Sequence, residues 1–496
     1  MTNLTPMMKQ YLEVKDAHKD AILFFRMGDF YEMFFEDAEI ASKILGITLT
    51  SRDKNRENRV PLCGIPYHSA SSYISKLINH GYKVAICEQV EDPKKTVGIV
   101  KREVTRIVTP GLVVDTDTLE ASENNFLMCI SRSKESWGIA FLDLSTGEFK
   151  ATELVDHGVV QEEALRIGPR EILAPKSLNG HGSFQVLLKS MNNYLLTYLD
   201  DEIFDFTRSF KLLSEQIKTD SLQNLTSGDM KEALKAAGGI IHYIKTTQKA
   251  ELNHVNDLVL YRVCDYMIVD EPTKRNLELF STMQDRSQKG SLIGILDQTV
   301  TAMGARKIRN WMNYPLLGIE KIRERLDAVS EFKDETIPRK DLRSLLEEIG
   351  DLERINSKIS LASANARDLI HLKTSIEKLP KIKELLGKMC SRLAWKIFSQ
   401  LDELTDIFDL LERSIAEDPP LTLREGGLIK EGYDTGLDEL RKVGREGKGW
   451  IASLEAKERE KTGINSLKIR FNRVFGYYIE VTKANLGLVP KDYMRK

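Results

Sequence analysis

From Leu23 to Phe35 the chain reads Leu-Phe-Phe-Arg-Met-Gly-Asp-Phe-Tyr-Glu-Met-Phe-Phe, two apolar stretches parted by Gly28-Asp29. A glycine-aspartate pair between strand-forming runs marks a tight turn, so two extended segments are expected, with Phe30 directly after the bend. In extended chain, residues two apart share a face, which points Phe30 and Glu32 the same way. A ring beside a carboxylate makes a poor core face, because an unpaired buried charge is costly. On a surface the pair has a use: the ring can wedge between bases while the carboxylate accepts a hydrogen bond from an exposed base edge. Two residues alone are nearly uninformative, and a core aromatic beside a solvated glutamate fits the same pattern.

The length, 496 residues, allows about three or four domains with sizeable cores. A formal net charge of −2, from 72 basic and 74 acidic residues, does not announce a nucleic-acid binder, so local patches must carry that argument. The cysteines Cys63, Cys87, Cys129, Cys264 and Cys390 are scattered without a C-x-x-C pair, which fits reduced thiols better than a disulfide framework and offers no zinc-finger spacing. The N-terminus lacks an apolar signal region and no apolar run of about 18 residues occurs, so a soluble, cytoplasmic location is expected.

Local patterns order the rest. Thr5-Pro6 reads as a helix N-cap followed by proline at the first position. A second helix is expected from Glu36 to Gly46, a strand over Ile47–Thr50, and a modestly basic loop over 51–59 as a minor candidate for phosphate contact. The run Val60 to His68, rich in proline and glycine, is expected at a sheet edge. His68 has no second ligand at metal spacing. A helix from Ser69 to Gly81 and a strand from Tyr82 to Val90 complete an α/β unit over 1–118. Residues 115–124 are polar and acidic, as a linker would be. Strands over 125–130, 137–144 and 148–154 with helical patterns between them indicate a second α/β domain over 119–250. There Asp143 and Glu148 raise an alternative, a two-metal nuclease site. Over 251–423 apolar residues recur at three- and four-residue steps, as at Ile319, Ile322, Leu326, Val329 and Phe332, with charges opposite; long helices packed along a narrow seam are expected. Over 424–496 a charged helix from Thr435 to Lys461 precedes two strands, and residues 464–496 hold seven Lys/Arg against two Asp/Glu.

Several strings, in this order, resemble the MutS family of DNA mismatch-repair proteins: Gly28-Asp29-Phe30-Tyr31-Glu32, Gly64-Ile65-Pro66-Tyr67-His68, Ala85-Ile86-Cys87-Glu88-Gln89, Arg106-Ile107-Val108-Thr109-Pro110-Gly111, Glu271 to Leu279, and Leu296 to Arg306. The resemblance implies a multidomain α/β plus α architecture. Its parts would be a mixed α/β mismatch-recognition domain, a ribonuclease-H-like connector, a long-helix core or lever, and a β-containing clamp at the helix tips. It implies Phe30 as the wedge and Glu32 as the base contact. Lys468, Arg470, Asn472 and Arg473 become candidates for phosphate contact, since cations and amides at a clamp tip position DNA rather than specify it. It also implies double-stranded DNA with mispairs as ligand, a homodimer, a MutL-type partner, and ATP with Mg2+ in the full-length family. No P-loop occurs here; Gly444-Arg445-Glu446-Gly447-Lys448 has the wrong spacing. The chain is therefore expected to be the N-terminal part of a longer protein, without catalytic residues or cofactor of its own. A relative acting on recombination intermediates is a further alternative, which the intact reader segment disfavours.

Overall fold

The structure, a computed structural model, describes residues 5–51, 60–91, 98–115, 118–218, 230–249, 251–472, 476–490 and 492–494, with backbone alone at residues 424, 445, 446 and 448. The chain divides into two compact units, Met1–Phe408 and Asp409–Lys496.

The first part of the larger unit is a mixed sheet. Strands β1 (Ala21–Met27), β2 (Phe30–Phe34), β3 (Thr50–Ser51), β4 (Pro61–Pro66), β5 (Lys83–Gln89) and β6 (Arg102–Val108) lie in the order β3-β4-β2-β1-β5-β6, and only β1 and β5 run parallel. Helix α1 (Pro6–Ala17), whose N-cap Thr5 accepts from the Met8 amide, covers one face. There Met8 and Tyr11 pack with Leu23, Phe25, Phe34 and Cys87. Helices α2 (Phe35–Leu45) and α3 (Ala70–Asn79) cover the other, burying Phe24, Tyr31, Met33 and Ile65. Covered on both faces, the central strand can be apolar at every position from Ala21 to Phe25.

Two expectations change here. The strand awaited over Ile47–Thr50 is reduced to Thr50–Ser51, because Ile47 turns aside to pack on the core under α2 and α3. The proline-rich run is not an outermost strand: β4 lies between β2 and β3. Since β3 pairs only with Leu62 and Pro61, most of β4 still behaves as an edge, which is how its prolines are tolerated.

A second mixed sheet follows, from β7 (Leu127–Arg132), β8 (Trp137–Asp143), β9 (Glu148–Leu154), β10 (Glu171–Pro175), β11 (Leu195–Leu199) and β12 (Val259–Leu260), ordered β11-β10-β7-β8-β9-β12. The helix Lys231–Gln248 lies on one face, with Ala236, Ala237, Ile240 and Ile241 against Cys129, Ala140 and Leu142. It approaches so closely that a Cβ on Gly138 would lie 2.1 Å from the Glu232 carbonyl carbon.

Residues 271–408 are helical, but the long-helix expectation does not hold: the longest helix described there, Ile319–Asp334, has 16 residues. Part of the expected seam exists, where Leu342, Leu345 and Ile349 pack on Ile382, Leu386 and Met389. The stripe Ile319, Leu326 and Val329 is instead more than half exposed. In the smaller unit the helix Thr435–Thr462, N-capped by Asp434 and stopped by left-handed Gly463, leads into a hairpin of β13 (Lys468–Asn472) and β14 (Gly476–Glu480). No described helix is long and apolar enough to cross a membrane.

Candidate nucleic-acid interface

Met27 pairs with Phe30 across the β1–β2 ladder, so Gly28-Asp29 is a two-residue loop. Such a loop needs a positive φ at its first position, and Gly28 takes +59°, which costs glycine little. The bend leaves Phe30 47% exposed while its neighbour Tyr31 is 6% exposed. Alternation along β2 explains the contrast: Tyr31 and Met33 join the core under α2 and α3, whereas Phe34 is buried beneath α1. Phe30 and Glu32 share Phe34's face and lie ahead of it toward the turn. Glu32 stands opposite Gly64, where an added Cβ would touch the Glu32 Cγ at 3.6 Å and press on the Tyr31 carbonyl at 3.3 Å. Glycine there leaves the strand flat beneath the carboxylate.

Behind this face lies a network that sequence reasoning missed. The Tyr31 hydroxyl donates to Glu88, and burial together with that carboxylate raises the phenol's pKa, so it remains a protonated donor. Arg26 Nη1 lies 3.7 Å from the second Glu88 oxygen, its guanidinium sits 3.6 Å from the Tyr67 ring centroid, and its Nε donates to the Gly28 carbonyl at 2.5 Å. The Tyr67 amide donates to the Asp29 carbonyl at 3.0 Å. Both turn residues are thus held from the rear. The available signal was a lone arginine inside an apolar run.

In the other unit, the β13–β14 register places Lys468, Arg470 and Asn472 on one face of the hairpin, opposite Glu480, Tyr478 and Gly476. Lys468 is exposed. The Arg470 guanidinium is not free, since its Nε lies 2.6 Å from Glu480; an exposed pair of this kind is worth under about 1 kcal/mol. Arg473 lies outside the described residues, as do the basic loop residues 52–59. The opposite face carries Phe471 and Tyr477, rings 5.1 Å apart. The hairpin is tied to its helix where the Ile469 amide donates to Glu455 at 2.9 Å and Arg459 Nε donates to the Leu467 carbonyl at 2.7 Å.

Asp143, the centre of the nuclease alternative, is fully buried. Its carboxylate accepts from Asn124 Nδ2, the Asn125 amide, and the amide and hydroxyl of Ser145, at 2.7 to 3.1 Å. A carboxylate saturated by four donors is spent on structure. The polar, acidic stretch expected as a linker is held by contacts at Glu120, Ala121 and Glu123. Buried Arg306 donates to the Ala121 carbonyl at 2.9 Å, and buried Arg354 to those of Glu120 and Glu123 at 2.9 and 2.8 Å.

Models of MutS domain I, domain II and domain III match residues 5–117, 125–256 and 272–484. Proteins named DNA mismatch repair protein MutS match along the whole chain: that of Acetivibrio thermocellus at 46% identity over 499 residues, that of Lachnoclostridium phytofermentans at 48% over 496, and that of Halothermothrix orenii at 48% over 498. The match covers 57%, 53% and 55% of those proteins respectively, so the chain spans about half the length of the curated relatives. The chain belongs to the MutS family, of which it carries domains I, II and III.

Proposed function

We propose that this chain recognises mispaired or unpaired bases in duplex DNA, as the sensing part of a mismatch-repair protein. The observation that carries the reading is the half-exposed Phe30 ring, set directly after a fixed turn on a strand whose next residue is buried. An aromatic ring so placed can enter a base step and kink the duplex, and a mispair, already poorly stacked, opens at less cost than a Watson-Crick step. Glu32 then accepts from a base edge. A carboxylate near phosphates stays only where it finds a donor or takes a proton, which makes it a selector as well as a contact.

In this reading residues 1–118 recognise the mispair, 119–250 form a ribonuclease-H-like connector, 251–423 a core and lever, and 424–496 a clamp. Lys468, Arg470, Asn472 and Arg473 would grip phosphates without reading sequence. ATP with Mg2+, a second copy in a homodimer and a MutL-type partner belong to the full-length family protein, acting in the cytoplasm at the nucleoid; no residue here is assigned to the nucleotide.

The test is competition binding of the chain to a labelled duplex with one unpaired base, against the matched duplex, across a salt series. Preferential binding of the defective duplex is expected, with affinity falling as salt rises. Equal affinity for both duplexes would dismiss the reading.

A further inference from the structure

We propose that Arg26 is the positioning residue that aims Phe30: a cation stacked behind the reader turn, which locks the wedge in its outward conformation before DNA arrives. This deepens the mismatch-sensing reading and rests on it.

Arg26 lies on β1 opposite Tyr31, facing away from Phe30 and Glu32. Its side chain is 14% exposed, so it is poorly placed to meet a ligand itself. Three kinds of contact converge on it. The guanidinium stacks on Tyr67, with its carbon 3.6 Å from the ring centroid, and reaches Tyr31 at 5.5 Å. One nitrogen faces Glu88, which also accepts from the Tyr31 hydroxyl. Another donates into the turn at the Gly28 carbonyl. The carbonyl of Arg26 in turn accepts from Arg102 Nε at 2.7 Å, which fixes the strand end from the β6 side.

The geometry explains why a cation is needed there. Gly28 is left-handed, and a glycine loop loses much conformational freedom on being ordered. The ring that follows the loop is half exposed, so its burial does only part of the work of holding the loop. A wedge that must be ordered at the moment of binding loses affinity to that ordering; one held in advance does not. Arginine suits the task where lysine does not, since its planar fork can stack on Tyr67 while donating to the turn and facing Glu88.

The experiment combines hydrogen exchange with binding, on the full 496-residue chain. In Arg26→Ala, amide exchange in residues 28–32 should rise about tenfold without DNA, while the rest of the sheet and the melting temperature stay near wild type. Preference for the unpaired-base duplex should fall about tenfold, the worth of a desolvated cation–π contact with its turn hydrogen bond. Affinity for matched duplex should not change. Arg26→Ala added to Phe30→Ala should produce no further loss, as two residues acting through one wedge are non-additive. Unchanged exchange in 28–32, wild-type preference, or a loss additive with Phe30→Ala would each overturn the proposal. So would a joint fall of melting temperature and matched-duplex affinity. If Arg26→Ala does not fold, Tyr67→Leu, which removes the stacking ring, is judged by the same outcomes. A wild-type chain without mismatch preference would dismiss the sensing reading, whereas a faster-exchanging turn in Arg26→Ala would still report the positioning contact.

Discussion

Arg306 and Asp351 form a two-pronged ion pair, Nη1 to Oδ2 and Nη2 to Oδ1, both at 2.7 Å. Nη2 also reaches Glu353 at 2.7 Å, and Nη1 the Ala121 carbonyl. The guanidinium is 4% exposed. It therefore joins the segment between the first two sheets to the start of the helical part. Removing the cation from a buried pair leaves Asp351 with the longer ion contact to Arg354 at 3.8 Å, so Arg306→Ala should cost about 3 kcal/mol in unfolding free energy. Arg306→Lys should recover only part of this, since an ammonium cannot make the parallel bonds. Urea denaturation followed by circular dichroism measures both, and a loss under about 1 kcal/mol for Arg306→Ala would show that the strap carries no load.

Phe30 should behave in the opposite way. Its ring is half exposed, so Phe30→Ala is expected to change stability by less than about 0.5 kcal/mol while removing the preference for an unpaired base. Phe30→Tyr, which keeps a ring of the same width, should retain most of that preference. Bandshifts with defective and matched duplexes read the outcome. Equal discrimination by wild type and Phe30→Ala would remove the wedge from the mechanism.

Local chemistry was legible in the sequence. The Thr5-Pro6 cap, the Gly28-Asp29 turn, the shared face of Phe30 and Glu32, and the long charged helix that begins at Thr435 all depend on near neighbours. What escaped depends on distant ones. Ile319, Leu326 and Val329 have helical spacing, but periodicity says nothing of what covers a face, and here they stay exposed. The acidic 115–124 stretch reads as a linker because the arginines that hold Glu120, Ala121 and Glu123 lie far along the chain. The Arg26 network escaped for the same reason: its partners Tyr67 and Glu88 come from the end of β4 and from β5.

Gly138 gives a test of the second sheet. On β8 it faces the helix Lys231–Gln248, and a Cβ there would meet the Glu232 carbonyl carbon and oxygen at 2.1 Å and the Ala233 nitrogen at 2.6 Å. Those atoms are backbone, so the helix itself must move. Forcing atoms into a filled interior costs about 1–3 kcal/mol, and Gly138→Ala should fall at the upper end, lowering the urea midpoint without changing the slope. Gly180→Ala is a suitable contrast for space alone, since nothing lies within 4 Å of its would-be Cβ, although its φ of +78° brings backbone strain. A smaller loss in Gly138→Ala than in Gly180→Ala would show that the helix yields easily.

His254 should make folding sensitive to mild acid. It is 9% exposed; Nε2 lies 2.9 Å from the Leu144 carbonyl, to which it donates, and the buried Nδ1 has no hydrogen-bond partner. Burial lowers its pKa from the ordinary 6.5, against the opposing influence of the Leu144 carbonyl and Asp143. A second proton would sit on Nδ1, where nothing accepts it. The unfolded chain therefore binds more protons than the folded one between the folded pKa and 6.5, and stability rises with pH across that window. The contribution is complete above the unfolded value and is lost as pH falls below about 6.5 toward the folded value. His18 and His242, also lowered chiefly by burial, add to the same slope. Urea midpoints measured from pH 7.5 down to pH 5 should fall, and His254→Gln, whose amide can still donate to Leu144, should flatten the fall. An unchanged slope in that variant would shift the effect to the other two histidines.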